Sequence, residues 1–122
     1  MAKLVHLCSM IKKEWLSFGH AYRGIMFAFR QQNHMRIHGV AVIVVCLGAW
    51  YTKATSQEWG LLFLAFGLVL SLEMLNSALE ALADALHPEP HPLIGRAKDM
   101  AAGAVLLAAL MAVGVAVCVF IC

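Results

Sequence analysis

The last part of the chain, residues 100–122, contains no charged side chain. A helix needs about 20 consecutive apolar residues to cross a hydrocarbon core about 30 Å thick, and this run of about 23 residues exceeds that length. Soluble domains seldom contain so long an uncharged stretch. The run therefore predicts a transmembrane helix and limits the chain to a membrane fold.

Two further stretches have the same character. Between Arg36 and Lys53 the sequence is free of charge for about 16 residues, or about 24 Å of helix, so flanking residues must complete the crossing. A third run opens at Trp59, and its helical pattern continues past the first carboxylates to the proline-rich break at 88–90. Because 62% of its residues are apolar and 13% charged, the chain is predicted to be a single-domain, all-α membrane protein over residues 1–122. The three transmembrane helices are predicted at about 35–53, 57–86 and 97–121.

The N-terminal segment has a helical pattern of another kind. Apolar and aromatic residues recur at helical spacing within an arc of about 100°; they are Trp15, Phe18, Tyr22, Ile25, Met26 and Phe29. Lys13, His20 and Gln31 lie opposite. A core-facing helix of a soluble protein would show this pattern too, but a basic polar face beside a transmembrane span favours an amphipathic helix on the membrane surface, at about residues 12–32.

The basic residues indicate the orientation. Six of the nine Lys and Arg residues lie before residue 37, and Arg96 and Lys98 precede the last span. Cytoplasmic flanks of membrane helices carry an excess of Lys and Arg. The N-terminus and the loop before the last span are therefore expected in the cytoplasm.

Acidic residues cluster on one face of the second predicted membrane helix. Glu73, Asn76, Glu80 and Asp84 fall within an arc of roughly 80°. With Trp59 at the outer interface, Glu73 lies about 21 Å into the bilayer and Glu80 about 31 Å. Ionisable groups at such depth normally face a protein interior or a wet cavity, which predicts a functional site. The alternative is an ion pair or a hydrogen-bonded helix contact.

This placement suits a reaction between a membrane-held hydroxyl and a soluble phosphate. Glu73 can accept the hydroxyl proton, and Glu80 can hold Mg²⁺, which takes one or two protein carboxylates. Arg96 and Lys98 at the start of the last helix can neutralise phosphate charge, although such a pair also serves as a positive-inside anchor. The sequence has no GxxxxGK[ST] loop, so the residues alone indicate only an acidic site at the interface.

Three sequence motifs carry a resemblance to a known family. They are FAFRQQNHMRIH (27–38), EMLNSALEALAD (73–84) and HPLIGRAKDMAAGAVL (91–106). Together they resemble the small prokaryotic integral-membrane lipid kinases, the diacylglycerol kinase and undecaprenol kinase family. The order of spans agrees, and the resemblance covers nearly the whole chain.

The resemblance implies a homotrimer with active sites shared between neighbouring subunits. It implies MgATP as the phosphoryl donor, a lipid alcohol as the acceptor and no nucleic-acid partner. It also implies a multi-pass protein of the bacterial inner membrane, with its N-terminus and active site cytoplasmic.

Carried over by position, the family's catalytic base falls on Glu73, its metal carboxylate on Glu80 and its supporting amide on Asn76. Nucleotide contacts are expected at Lys13, His20, Glu89, His91, Lys98 and Asp99, with Asp84 and Arg96 in support.

One position departs from the family pattern. Where members usually carry a second metal-binding glutamate before the first span, this chain has Gln32, whose amide oxygen can coordinate Mg²⁺ without supplying charge. The substitution implies weaker metal binding, a second ion held differently, or a specialised or inactive member of the family. At the nucleotide site, Lys13 stands where the family has an arginine, which keeps the charge and loses the bidentate fork.

The sequence leaves alternatives open for both the lipid substrate and the class of function. The GRAKDM motif favours diacylglycerol slightly, whereas RIH and HPL resemble undecaprenol kinases. An intramembrane glutamate also suits a small ion-coupled transporter, and the small residues of the last span suit a structural membrane protein. A transporter would not need the acidic and basic cluster of the cytoplasmic loop.

Overall fold

The computed structural model describes residues 1–121, without the side chains of residues 2, 4, 5, 8 and 11. Within this part the chain forms four α-helices: α1 (Ala2–Gln31), α2 (Asn33–Tyr51), α3 (Ser56–Leu86) and α4 (Pro92–Ile121). The last three are long and apolar enough to cross a membrane. The prediction of an all-α protein with three membrane-capable helices is confirmed.

Two helices begin earlier than the sequence patterns indicate. The first starts at Ala2 instead of near residue 12, because the polar stretch at Lys12, Lys13 and Glu14 consists of good helix formers that do not interrupt it. The fourth starts at Pro92 instead of near residue 97. Proline suits the first helical position, where its missing N–H would have no intrahelical partner and its fixed φ already matches the helix.

The corner between α1 and α2 is formed by a single residue. Gln32 has extended backbone angles, φ −100° and ψ 118°, while its N–H still donates to Ala28 O at 2.9 Å. Its own carbonyl accepts from Arg36 N at 3.3 Å as the next helix begins. Gln32 is therefore fixed by backbone hydrogen bonds on both sides.

The turn between α2 and α3 is short and capped. Lys53 adopts a positive φ of 57°. The Thr55 hydroxyl accepts from Glu58 N at 3.3 Å, and the Glu58 carboxylate accepts from Thr55 N at 2.6 Å. This reciprocal capping box satisfies two backbone donors that the first turn of α3 would otherwise leave open.

Helices α3 and α4 form the main packing unit, with α2 against α3 and α1 against the α2–α3 pair. Gly39 allows the closest approach of α1, since a Cβ there would lie 2.9 Å from Phe29 Cε1. Few of the described side chains are buried; the buried apolar residues among them are Ala28, Met35, Ala49, Leu62, Val69, Val105 and Ala108. Most large apolar side chains of the membrane-capable helices are exposed, which suits lipid or a neighbouring subunit.

Candidate active site

A cavity of about 400 Å³ lies where the α1–α2 corner meets α3 and α4. The corner contributes Gln32 and α3 contributes Glu73, Asn76 and Glu80. The full lining is Gln32, His34, His38, Glu73, Asn76, Ser77, Glu80, Ala102, Val105, Leu106 and Ala109. We refer to this space as the acidic cavity. Of the residues that the sequence placed on one face of α3, Glu73, Asn76 and Glu80 line this cavity and Asp84 does not.

Glu73 is the buried acid of this cavity. Its side chain is only 4% exposed, and among the described residues it is the one buried polar or charged group. It forms no hydrogen bond or ion pair with another described side chain. A buried carboxylate is costly unless something pairs with it, and Glu73 is available to a group that enters the cavity.

Asn76 is hydrogen-bonded to Glu80. Its Nδ2 donates to Glu80 Oε1 at 3.2 Å, four residues along the same face. That bond fixes the orientation of the amide, and Asn76 Oδ1 is left buried with no hydrogen-bond partner in the described part of the chain. A buried oxygen without a hydrogen-bond partner is rare in folded proteins, and its usual explanation is a bound water, ion or ligand.

The carboxylates and amides of the acidic cavity offer hard oxygen donors, beside the imidazoles of His34 and His38. Glu80 offers a carboxylate, while Gln32 and Asn76 offer amide oxygens. No three His, Cys, Asp or Glu side chains in residues 1–121 are grouped so as to hold a metal by themselves. The set fits a cation such as Mg²⁺, which takes few protein carboxylates and fills its shell with waters and phosphate oxygens.

An apolar groove continues from the acidic cavity between α2, α3 and α4. The two share His38 and Ala109. The groove holds about 150 Å³ and is lined otherwise by Ala41, Val42, Val45, Phe66, Val69, Ala112, Val113 and Ala116. Val69 lies one helical turn before Glu73. The buried carboxylate of Glu73 therefore lies where the apolar groove meets the acidic cavity.

A second, more open cavity of about 570 Å³ lies at the loop between α3 and α4. We call it the loop cavity. Its lining is Asp84, His87, Pro88, Glu89, Pro90, His91, Pro92, Ile94, Gly95 and Lys98. Lys98 forms an ion pair with Asp84 across the two helices. A cation and two carboxylates thus surround a space large enough for phosphate groups.

Comparison with known proteins identifies the family. A family model for prokaryotic diacylglycerol kinase matches residues 19–120. The chain belongs to the prokaryotic diacylglycerol kinase family. It is 35% identical to the undecaprenol kinase of Bacillus subtilis over 105 residues, 86% of this chain and 85% of that one. It is 38% identical to the diacylglycerol kinase of Escherichia coli K12 over 95 residues, 78% of each chain. It is 39% identical to the diacylglycerol kinase of Synechocystis over 107 residues, 87% of this chain and 61% of that one.

Membership of this family makes the chain a lipid kinase with membrane-capable helices. The resemblance inferred from the three motifs is confirmed, and so is the enzyme class. The transporter and structural-protein alternatives are left without support.

The structure brings most of the expected kinase residues together in two places. Gln32, Glu73, Asn76 and Glu80 share the acidic cavity, and Asp84, Glu89, His91 and Lys98 share the loop cavity. On α3, Asp84 follows Glu80 by four residues, about 6 Å along the axis. The two cavities therefore follow one another along one helix.

Four expected residues lie outside both cavities. Arg96 and Asp99 are exposed on the first turns of α4, and Lys13 and His20 are exposed on α1. His20 Nδ1 lies 2.8 Å from Arg23 Nη2 on its own helix. Roles in nucleotide binding for these four remain predictions.

Three histidines in or beside the site were not assigned there from the sequence. His34 and His38 line the acidic cavity, and His87 lines the loop cavity. The four-residue spacing of the first two was a visible signal, but it fits an interfacial helix face equally well. His87 has the same four-residue spacing to His91, but prolines lie between them, so the spacing does not indicate a shared helix face.

Proposed function

We propose that the chain transfers the γ-phosphoryl group of MgATP to the hydroxyl of a membrane lipid, with diacylglycerol as the acceptor and phosphatidic acid as the product. One observation carries the proposal: Glu73 is a buried, unpaired carboxylate at the junction between an apolar groove and a polar cavity. That junction is where a lipid alcohol would present its hydroxyl while its hydrocarbon stays in the groove.

Glu73 acts as the general base in this proposal. It accepts the proton of the lipid hydroxyl as the oxygen attacks the γ-phosphorus and the bond to the β-phosphate oxygen breaks. Positioned proton transfer typically contributes about 10²–10⁴-fold to a rate. The absence of a partner in the described part of the chain leaves the oxygens of Glu73 free for the hydroxyl.

Glu80, Gln32 and Asn76 Oδ1 would hold Mg²⁺. The bound ion would neutralise phosphate oxygens of ATP and the charge that develops during transfer. The support is the presence of the Glu80 carboxylate and the Gln32 amide in one cavity, together with the orphaned amide oxygen of Asn76. Along α3, Glu73 and Glu80 are about 10 Å apart, which leaves room for a phosphoryl group between the base and the metal carboxylate.

The loop cavity takes the nucleotide. Lys98 supplies positive charge to the phosphates, and Glu89 and His91 contact the remainder of ATP, with Asp99, Lys13 and His20 as further contacts and Arg96 as an electrostatic support. Asp84 holds Lys98 in place through the observed ion pair. Phosphoryl transfer depends chiefly on such positioning and charge stabilisation.

The assembly is proposed to be a homotrimer in a bacterial inner membrane, with the N-terminus and both cavities on the cytoplasmic side. Large apolar side chains are exposed over α2, α3 and α4, and the basic flanks favour this orientation. The exposed aromatic side chains of α1, including Trp15, Phe18 and Tyr22, suit a helix on the membrane surface.

Undecaprenol is the second candidate acceptor. The B. subtilis relative named undecaprenol kinase covers 86% of this chain, and the RIH and HPL motifs resemble that branch. The relatives named diacylglycerol kinase have similar identity, and the GRAKDM motif agrees with them.

The test is transfer of labelled γ-phosphate to extracted lipid. Purified full-length protein in vesicles is given MgATP with diacylglycerol, or with undecaprenol, and Glu73→Gln serves as the blank. Labelled phosphatidic acid supports the proposal. Label confined to undecaprenyl phosphate moves the activity to the second candidate, and no labelled lipid with either alcohol refutes the proposed function.

A further inference from the structure

His87 occupies the point where α3 ends and the loop cavity begins. Its N–H still donates to Ala83 O at 2.9 Å, while its own angles, φ −147° and ψ 82°, leave the helix. Pro88 follows and cannot continue the helical hydrogen bonds. The direction of the loop is therefore set at His87.

The imidazole of His87 is hydrogen-bonded to the loop that follows. Its Nδ1 lies 2.9 Å from the carbonyl oxygen of Glu89. A carbonyl only accepts, so Nδ1 carries the proton and donates. This bond closes a small ring from the end of α3 to the residue between Pro88 and Pro90, and it fixes the backbone that carries Glu89.

The same imidazole packs against His91. The two ring centroids are 5.4 Å apart, and the ring planes meet at 67°. His91 is itself held by α4: its carbonyl accepts from Gly95 N at 2.9 Å, and its Nδ1 accepts from Leu93 N at 3.3 Å. Because His91 Nδ1 is an acceptor, the proton of the neutral ring is on Nε2, where it is free to be donated to a ligand.

The geometry points to His87 as a positioning residue of the nucleotide site, which orders the 87–91 loop so that Glu89 and His91 face the loop cavity together with Lys98. This inference rests on the proposed function, because it assigns the loop cavity to ATP. His87 does not touch the reacting atoms. It acts through the Glu89 carbonyl and the His91 ring, which it holds before nucleotide arrives.

Ordering the loop in advance lowers the entropic cost of binding. Three prolines already restrict residues 88–92, and the His87 contacts remove much of the freedom that remains. A loop that is already in its binding conformation loses less entropy when a ligand docks, so the benefit appears in nucleotide affinity. The chemical step at Glu73 and the lipid site should not depend on it.

The experiment compares His87→Ala with His87→Asn in the full-length protein. The asparagine Nδ2 can still donate to the Glu89 carbonyl, whereas alanine removes the donor and the ring contact. We expect His87→Ala to raise KM for MgATP by about five-fold, the size expected for loss of one positioning hydrogen bond. The kcat and the lipid KM should stay within about two-fold, and His87→Asn should restore most of the ATP affinity.

His6→Ala is the matched control, because His6 is an exposed histidine of α1 remote from the loop in sequence. An unchanged KM for MgATP in His87→Ala would overturn the inference. So would an equal loss for both substrates without rescue by asparagine, since that pattern indicates general destabilisation.

Direct titration with a fluorescent ATP analogue separates this inference from the proposed function. If the wild-type protein phosphorylates no lipid, the proposed function fails, and the titration still decides the role of His87. Weaker binding of the analogue by His87→Ala, with recovery in His87→Asn, supports the positioning role. Equal binding by wild type and both variants refutes it.

Discussion

Lys98 on α4 is ion-paired with Asp84 on α3, across the loop that joins the two helices. The side chains are 32% and 67% exposed, so water screens the pair and its contribution to stability is small, typically about 0–1 kcal/mol. The same exposure leaves Lys98 accessible to a soluble ligand. The pair is better suited to orienting Lys98 for the proposed phosphate contact than to holding the two helices together.

Replacement of Lys98 should therefore affect nucleotide binding far more than replacement of Asp84. We expect Lys98→Met to raise KM for MgATP at least about ten-fold, since a charge-assisted phosphate contact is lost. Asp84→Asn keeps the cation, so its effect should stay below about three-fold, with a change in unfolding free energy under about 1 kcal/mol. Steady-state kinetics and unfolding in mixed micelles check both. Equal losses in the two variants would show that the ion pair acts as a unit.

Glu73→Gln should abolish turnover and leave nucleotide binding intact. The amide is nearly isosteric with the carboxylate but cannot accept the hydroxyl proton, so we expect a fall in kcat of about 10²–10⁴-fold. ATP affinity is measured separately by titration. Glu14→Gln, an exposed carboxylate of α1, is the control for loss of one charge. Near-normal turnover in Glu73→Gln would exclude Glu73 as the base.

The sequence was sufficient for the part of the site that depends on a single helix. Because a helix turns about 100° per residue, the spacing of Glu73, Asn76 and Glu80 places them on one face wherever the helix lies. Three membrane-capable helices likewise follow from run length and charge. These are local properties, and the structure agrees with them.

The way in which the helices pack against one another could not be predicted from such sequence patterns. No periodicity predicts that His34 and His38 would line the same cavity as Glu73, since this depends on how α2 packs on α3 and α4. The contacts of His87 depend on the path of a proline-rich loop and on which ring nitrogen carries the proton. The meeting of Gln32 with α3 was expected only from the family resemblance.

Gln32→Glu should lower the Mg²⁺ concentration needed for half-maximal activity. Gln32 lines the cavity with Glu80 and offers an uncharged oxygen, and a carboxylate there would add the negative charge that a hard cation prefers. We expect a shift of about three-fold or more in a Mg²⁺ titration at saturating ATP. Gln31→Glu adds the same charge at the preceding residue, outside the lining of the acidic cavity, and should shift the curve much less. An unchanged Mg²⁺ dependence in Gln32→Glu would remove this residue from the metal site.

The docking of α1 on α2 should tolerate little extra volume at Gly39. A Cβ at this position would lie 2.9 Å from Phe29 Cε1, so the ring or the helix must move. At Gly24 the space around a Cβ is open within 4 Å. We therefore expect Gly39→Ala to be less stable than Gly24→Ala by about 1–3 kcal/mol, as overpacking typically costs. Reversible unfolding in mixed micelles measures the difference.

Gly39→Ala should also alter the acidic cavity, because Gln32 lies at the corner between Phe29 and Gly39. A displaced α1 would move the Gln32 amide relative to Glu80, so Gly39→Ala should also raise the Mg²⁺ requirement. Phe29→Leu in the Gly39→Ala background relieves the clash by shortening the opposing side chain, and both stability and Mg²⁺ dependence should recover in part. Equal free energies of unfolding for Gly39→Ala and Gly24→Ala would show that α1 accommodates the added methyl group without loss of stability. The corner would then not be the element that fixes Gln32.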